Sequence, residues 1–435
     1  MEQDSTPKIG QRTVGYLIFL FAYMMLYEFM DTYTTSYYTS VVSYIQADFQ
    51  IDDSQFYMVQ AIASIGLLLV IFIQNLADRV GRKPMMIVVF FGMGFASLIM
   101  HISPNIYLFT IGFLLSWIFF SSDMWVIIVS EEAPAKKRGR YSYLIAMVGA
   151  LGAIAIPLCR SFFITTEPSI NPSQWRGMNY LALTAMALAL LGFGMKETKA
   201  FLIRKQTKQD STLKEKFNRT KLAAPFKDHK SRSRVIAFMI IGFLLGTMAA
   251  AISTFEAYLT GIIVDTFGGS PDQVTNIIYI ATLGTFVFFG ITGILADKIG
   301  RKPTLYLYAG INLAFFIIIA FAANLFASMG FFWIFSLFGF FMNGSFWGMF
   351  MLSKTYCVEN FSTGMRGTAA GWRSLSYAVG LILGSLVSGI LVKFLDLQYV
   401  YLLSSAISVI GIYTLTATIL PETKGIKIVG DELVE

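Results

Sequence analysis

Three carboxylates stand where the chain offers them little water. Glu28 and Asp31 lie three residues apart in an apolar run that begins at Val14, and Asp123 lies in Ser121-Ser122-Asp123-Met124-Trp125 of another. Charge is costly in such surroundings, so a carboxylate kept there is a candidate for chemistry. The chemistry open to it is reversible proton binding, charged in one environment and neutral in another. A second charged group sits between apolar runs. Leu76-Ala77-Asp78-Arg79-Val80-Gly81-Arg82-Lys83-Pro84 is such a turn, and Leu295-Ala296-Asp297-Lys298-Ile299-Gly300-Arg301-Lys302-Pro303 repeats it 219 positions later. In each copy the Asp can cap or pair at a helix end, the Gly permits a tight reversal, and the cations stay in water on one membrane side. The duplication points to two similar halves.

The elements that must hold these residues follow from composition. The 435 residues are 56% hydrophobic and 14% charged, with a mean hydropathy of +0.64. A soluble domain carries roughly 25% charged residues, so this chain lacks the surface it would need in water. Crossing about 30 Å of hydrocarbon takes about 20 apolar residues in a helix, which also satisfies its own backbone hydrogen bonds. Twelve such runs are present, near 14–45, 55–76, 84–103, 106–131, 141–163, 173–195, 235–263, 273–294, 303–322, 330–356, 368–394 and 398–420. The expected fold is all-α, with twelve membrane-spanning helices in two six-helix bundles. Residues 1–195 form the first, 196–234 a basic connector, and 235–435 the second with a short tail. The first run is too long for a cleaved secretory segment and is expected to be retained.

Orientation follows from the cations. The connector from Lys196 to Arg234 holds 13 Lys and Arg against Glu197, Asp210, Glu215 and Asp228. The turns at 77–83, 132–140, 296–302 and 362–366 are also basic, while alternate loops carry Asp48, Asp52, Asp53, Glu167, Asp265 and Asp272. Cations stay on the cytoplasmic side, which places both termini and the connector inside, in the plasma membrane. The net charge of +7 is therefore topology and a contact for lipid headgroups, with nucleic acid excluded as a partner.

The duplicated D-[RK]-x-G-R-K-P turn resembles the signature loop of the major facilitator superfamily. The first copy departs at Gln74, where that pattern has Gly; the second keeps Gly293. Glu131-Glu132-Ala133-Pro134-Ala135-Lys136-Lys137-Arg138-Gly139 resembles the E-x-x-P-x-x-x-R-G motif of sugar porters and their organic-ion relatives, and Glu359 to Gly367 keeps its Glu-to-Arg spacing. Pro421-Glu422-Thr423-Lys424-Gly425 is similar to the sugar porters' P-E-T-K-G, with Lys196-Glu197-Thr198 as a weaker echo. The resemblance implies two bundles that rock about a central site. It also implies that Asp78, Arg79, Arg82, Glu131 and Arg138, with Asp297, Arg301, Glu359 and Arg366, form a cytoplasmic gate. Carboxylate–guanidinium pairs there would latch the halves shut on the inside. The plainer reading is turn chemistry that sets topology.

The substrate site is expected at mid-depth between the bundles. Counted from Val14, Asp31 lies roughly 25 Å into the first helix. Its neighbours at helical spacing are Tyr27, Glu28, Thr34, Thr35 and Tyr38, and the face turns apolar at Met24. Phe29-Met30-Asp31-Thr32 resembles the first-span Asp of proton-coupled sugar porters, and Glu28-x-x-Asp31 the D-x-x-D of aromatic-acid:proton symporters. Proton coupling by Asp31, Asp123 and Glu28 is the expectation; the alternative is carboxylates paired structurally to Arg or Tyr. Tyr27, Thr35, Asn343, Trp347 and Arg373 are candidates for touching substrate, with Arg373, two turns after Arg366 and still shallow, placed rather for the inner gate than for a substrate anion. Arg160 and Glu256, near the outer ends of the fifth and seventh runs, read as an outer gate or, more plainly, as side chains snorkelling to headgroups.

Several patterns narrow the solute and exclude other classes. The Gln of sugar porters' fifth helix is Ala146 here, their Q-Q-x-S-G signature is absent, and an Arg of organic-ion relatives is Ala378. His101, His229, Cys159 and Cys357 show no metal or redox spacing, and no phosphate loop or nucleophile–base pair appears, so no enzyme, metal or cofactor is expected. Gly92, Gly94, Gly149, Gly152, Gly371, Gly380 and Gly384 read as helix-packing sites. The expected function is proton-coupled symport of a sugar or organic acid by a monomer. A uniporter, a proton-driven exporter and a non-transporting nutrient sensor are the alternatives.

Overall fold

In the computed structural model the described residues are 12–69, 73, 76, 77, 80–120, 124–133, 138–199, 201, 202, 224–361, 366–424, 427–429 and 432–434. Each of the twelve apolar runs is helical over most of its described residues. The first span is Val14–Ser36, continued by a tighter turn at Tyr37–Ser40 and by Val42–Phe49. The second begins at Asp53–Ser64 and Ile65–Leu69; the third is Arg82–Ile102; the fourth is Ile106–Phe120 with Met124–Glu132; the fifth is Arg138–Phe163. The sixth is Pro172–Gly194 and the seventh His229–Thr266. The remaining five are Pro271–Ile299, Arg301–Ser328, Trp333–Glu359, Arg366–Leu391 and Leu397–Thr418. Among the described residues, nine helices are long and apolar enough to cross a membrane. Among the described residues the strands are those of a small hairpin, β1 (Lys427–Val429) and β2 (Glu432–Val434), with Lys427 opposite Val434.

The span ends are set by local chemistry. Asp52 accepts from the Gln55 N–H while Gln55 returns to the Asp52 N–H, and Ser270 with Gln273 repeats that capping box ahead of Pro271. Thr13 and Asp228 cap the first and seventh spans through Tyr16 N and Ser231 N.

Glycines set how closely the spans approach. A Cβ at Gly152 would strike the Phe29 carbonyl, which presses the fifth span against the first. In the second half, Gly246 abuts the Tyr377 carbonyl and Gly380 the Phe243 carbonyl, so the seventh and eleventh spans meet in the same way. Gly371 departs from the expectation: no atom lies within 4 Å of its Cβ position, so it seals no seam.

The chain divides into two compact units. One comprises Met1–Tyr37, Gly66–Ile156 and Arg176–Lys216; the other comprises Tyr38–Ile65, Pro157–Trp175 and Phe217–Glu435. The core of the first gathers Tyr23, Tyr27, Met86, Phe90 and Met93. The second has two apolar clusters, one around Phe238, Tyr356 and Met349 near the charged turns, the other around Phe316, Phe335 and Tyr401. Within the second unit, Asp53–Ser64 docks on the eleventh span, where a Cβ on Gly389 would stand 3.1 Å from the Ser54 carbonyl. The Tyr57 hydroxyl reaches the Ala251 carbonyl at 2.6 Å and the Thr254 hydroxyl at 2.8 Å.

Candidate functional site

The repeated turns build the same charged cluster twice. In the first unit, the Arg82 guanidinium donates to Glu131 Oε1 at 3.0 Å through Nη2 and to the Ala77 carbonyl at 3.0 Å through Nη1. The Thr198 hydroxyl donates to the other Glu131 oxygen at 2.5 Å. Glu197 accepts the Arg82 N–H at 2.9 Å and the Lys83 N–H at 3.3 Å, and so caps the third span. In the second unit, Arg301 grips Glu359 with two bonds of 2.9 Å and donates to the Ala296 carbonyl at 3.1 Å. Thr423 donates to Glu359 at 2.6 Å, and Glu422 accepts the Arg301 and Lys302 N–H groups at 2.9 and 3.0 Å. The clusters match partner for partner, though Arg82 holds one Glu131 oxygen where Arg301 bridges both of Glu359, so the sequence repeat is also a repeat of chemistry.

These pairs join ends of the same half. A carboxylate at a helix N-terminus meets free N–H groups and the positive end of the helix dipole. The turn glycines make room for it. Gly81 and Gly300 sit at φ 120° and 108°, a region L side chains avoid. A Cβ on Gly300 would stand 2.8 Å from Glu422 Oε2, and one on Gly81 would strike Glu197 Oε2. Burial raises the Glu422 carboxyl, but N–H donors from Arg301, Lys302, Lys424 and Thr423 together hold it below the usual carboxylate range. The copies differ at their rims. Arg12 pairs with Glu132 at 3.0 Å in the first, and the exposed Asp297 pairs with Arg301 at 3.0 Å in the second. Asp78 and Arg79, like Asp123, lie outside the described residues, as do the side chains of Arg138 and Arg366.

At the far ends of the spans, a third cluster corrects an expectation. Arg160 and Glu256 do not snorkel: they form an ion pair of 3.1 Å, with side chains 0% and 2% exposed. Glu256 also accepts the Ser43 N–H and hydroxyl at 2.8 Å each and the Thr260 hydroxyl at 3.0 Å. Arg160 donates to the Thr275 hydroxyl at 3.0 Å and to the Ser40 carbonyl, and its guanidinium lies 5.5 Å from the centre of the Tyr44 ring. Residues from the first, fifth, seventh and eighth spans are tied together here, all within the second unit. A cavity of about 720 Å³ lies alongside, lined in part by Ser43, Thr260, Asp53, Asp265 and Asp396.

The mid-depth candidates divide between the units. Asp31 is 7% exposed in the first, and Thr35, also buried, donates its hydroxyl to the Asp31 carbonyl at 2.7 Å. Glu28 packs against the fifth span, its Cγ 2.6 Å from the Cβ position of Gly149. Tyr27 meets Phe90 edge-on at 5.3 Å within the core. In the second unit, Asn343 spends its amide on the Ala281 carbonyl and the Thr285 hydroxyl, at 3.1 and 2.8 Å, tying the tenth span to the eighth. Trp347 stacks edge-on to Phe350 at 5.5 Å. Arg373 is 1% exposed and donates to the Ser353 hydroxyl at 2.6 Å and the Phe350 carbonyl at 3.2 Å.

A helical chain with two copies of one charged turn, each capping the span that follows it, narrows the family sharply. Residues 20–355 match the Major Facilitator Superfamily. The chain belongs to the Major Facilitator Superfamily. It is a multi-pass membrane transporter and not an enzyme. No curated protein sequence matches it. Among solved structures, it is similar to the xylose transporter XylE from E. coli in a partially occluded inward-open conformation. That match has 16% identity and a TM-score of 0.73 and covers 95% of this chain and 100% of that one. A nucleoside transporter, NupG, matches at 16% identity and a TM-score of 0.70, covering 92% and 98%. A bacterial homologue of the human lysosomal transporter Spinster, inward-facing and unoccupied, matches at 13% identity and a TM-score of 0.65, covering 93% and 96%. At these identities the likeness is one of fold.

Within this superfamily member, several residues carry more than their sequence announced. Glu197 and Thr198 do for the first half what Glu422 and Thr423 do for the second, although only the second stretch has the full P-E-T-K-G pattern. The signal was the shared Glu-Thr pair at the end of each half. Ser43, Thr260 and Thr275 gave no such signal, because hydroxyl residues in apolar runs are common and their partners come from distant spans.

Proposed function

We propose that this protein is a proton-coupled symporter that carries a small organic solute, a sugar or an organic acid, into the cytoplasm by alternating access. The observation that carries the reading is Asp31: a carboxylate deep in the first span, 7% exposed, beside a turn of hydroxyl residues. A carboxylate so placed changes its proton affinity whenever a conformational change alters its access to water, which is what coupling requires. Glu28, one turn away on the same span, and Asp123 are its partners in proton transfer. The Arg160–Glu256 cluster closes the outer ends, and the paired turn clusters brace the cytoplasmic ends of each half. The basic turns and connector support a reading with both termini in the cytoplasm, in which the protein works as a monomer in the plasma membrane without nucleic acid.

The test uses proteoliposomes. A solute should drive proton uptake in the wild-type protein and only exchange in Asp31→Asn. Solute uptake without proton movement in either protein makes this a uniporter and Asp31 structural. Binding without flux makes it a sensor.

A further inference from the structure

Arg373 is the buried cation that the clusters above do not account for. It lies seven residues into the eleventh span from Arg366, and its side chain is almost wholly removed from solvent. Buried guanidinium groups are ordinarily matched by carboxylates. Arg82, Arg160 and Arg301 each have one, at 3.0, 3.1 and 2.9 Å. Arg373 forms no ion pair among the described residues. Its partners are a hydroxyl, Ser353, and a carbonyl, Phe350, and its buried Nη1 donates to nothing among the described residues.

The surroundings have a definite chemistry. The Arg373 guanidinium lies 5.0 Å from the centre of the Phe350 ring, and the ammonium of Lys354 lies 4.7 Å from the same centre. Phe350 is flanked by Tyr377 at 4.9 Å and by Trp347 at 5.5 Å, so three rings run in series from the tenth span to the eleventh. Gly242 of the seventh span abuts the Arg373 backbone, which holds the residue in place. Lys354 is exposed and gives the cluster an open side. A guanidinium fork with spare N–H capacity selects a carboxylate, and a row of rings selects a planar apolar body. The two cations supply donors only, which match the acceptor oxygens of a carboxylate.

We infer that Arg373, with Ser353, Lys354 and the rings of Trp347, Phe350 and Tyr377, forms a subsite for the carboxylate of an aromatic organic acid. The inference rests on the transport reading above and sharpens its solute class. Binding is measured without a proton gradient, so a failure of proton coupling leaves this subsite standing, and loss of the subsite leaves coupling to be tested by itself.

The experiment titrates purified protein with benzoate and with its neutral counterpart benzamide, followed by tryptophan fluorescence and by melting temperature. Saturable benzoate binding is expected, at least about tenfold tighter than benzamide, with Arg373→Gln at least about tenfold weaker and Lys354→Gln between the two. Because Arg373 has no carboxylate to leave behind, Arg373→Met should melt no lower than wild type without ligand, yet lose the benzoate-induced rise. Equal binding of benzamide, no benzoate binding at about 10 mM, or unchanged affinity in Arg373→Gln each overturns the subsite. So does a ligand-free Arg373→Met protein that melts well below wild type, because the guanidinium would then be a packing element.

Discussion

Glu256→Gln isolates the outer cluster with little change of shape. The carboxylate accepts four donors: the Ser43 N–H through Oε2, and the Ser43 hydroxyl, the Thr260 hydroxyl and Arg160 through Oε1. An amide supplies only one acceptor oxygen, so its NH₂ must face the Ser43 N–H or the three other donors. Either way a donor faces a donor, and Arg160 stays buried beside a neutral group. Breaking a buried pair in this manner costs about 3–5 kcal/mol. With the outer ends apart, both side chains are hydrated and the loss is about 0–1 kcal/mol. The difference, about 2–5 kcal/mol, shifts the equilibrium toward the outward-open form by roughly 30- to 5,000-fold. The assay places a cysteine at Gln60, 2% exposed and accepting from Ser253 at 2.5 Å, after Cys159 and Cys357 are replaced by serine. A membrane-impermeant maleimide added outside should label it far faster in Glu256→Gln, and charge exchange between positions 160 and 256 should slow it again. Labelling rates within about twofold of each other would refute the reasoning, because a pair worth several kcal/mol cannot be lost without moving that equilibrium.

Two further predictions concern the turn cluster of the second half. Gly300→Ala must hold an L residue at φ 108° and bring its Cβ to within 2.8 Å of the Glu422 carboxylate. It should cost about 1–3 kcal/mol from the backbone alone, whereas Gly371→Ala, with open space around it, should gain about 0.5–1 kcal/mol; thermal unfolding in detergent checks both signs. Glu422 has its proton affinity lowered by four backbone donors, so its stabilising contribution is complete above the unfolded value of about 4.3 and fades as pH falls through the lowered folded value. The melting difference between wild type and Glu422→Gln should therefore be constant from neutral pH down to about 5 and shrink below about 4. A gap that widened on acidification would mean that the carboxylate is held neutral in the folded protein.

Much of the fold was legible because a bilayer leaves few options. Runs of apolar residues long enough to cross it become helices, and the run boundaries fell within a few residues of spans such as Arg82–Ile102 and Leu397–Thr418. The turns were legible because part of their chemistry is local: Gly81 and Gly300 take a positive φ that an L side chain resists, although the carboxylates they make room for come from Glu197 and Glu422 far along the chain. What the sequence hid is pairing across distance. Arg160 meets Glu256, and Arg301 meets Glu359, through crossings of helices that no periodicity records. One rule recovers part of it: a charge inside a span implies an opposite charge at the same depth on another span, because a lone one is too costly there. Applied to Arg160, the rule calls for an acid near the same end of another span, and Glu256 meets that requirement. Applied to Arg373, it meets only Ser353 and a carbonyl among the described residues. The rule then points away from the chain and toward the transported molecule, because a permanent counter-ion would occupy the donors that a carboxylate solute needs.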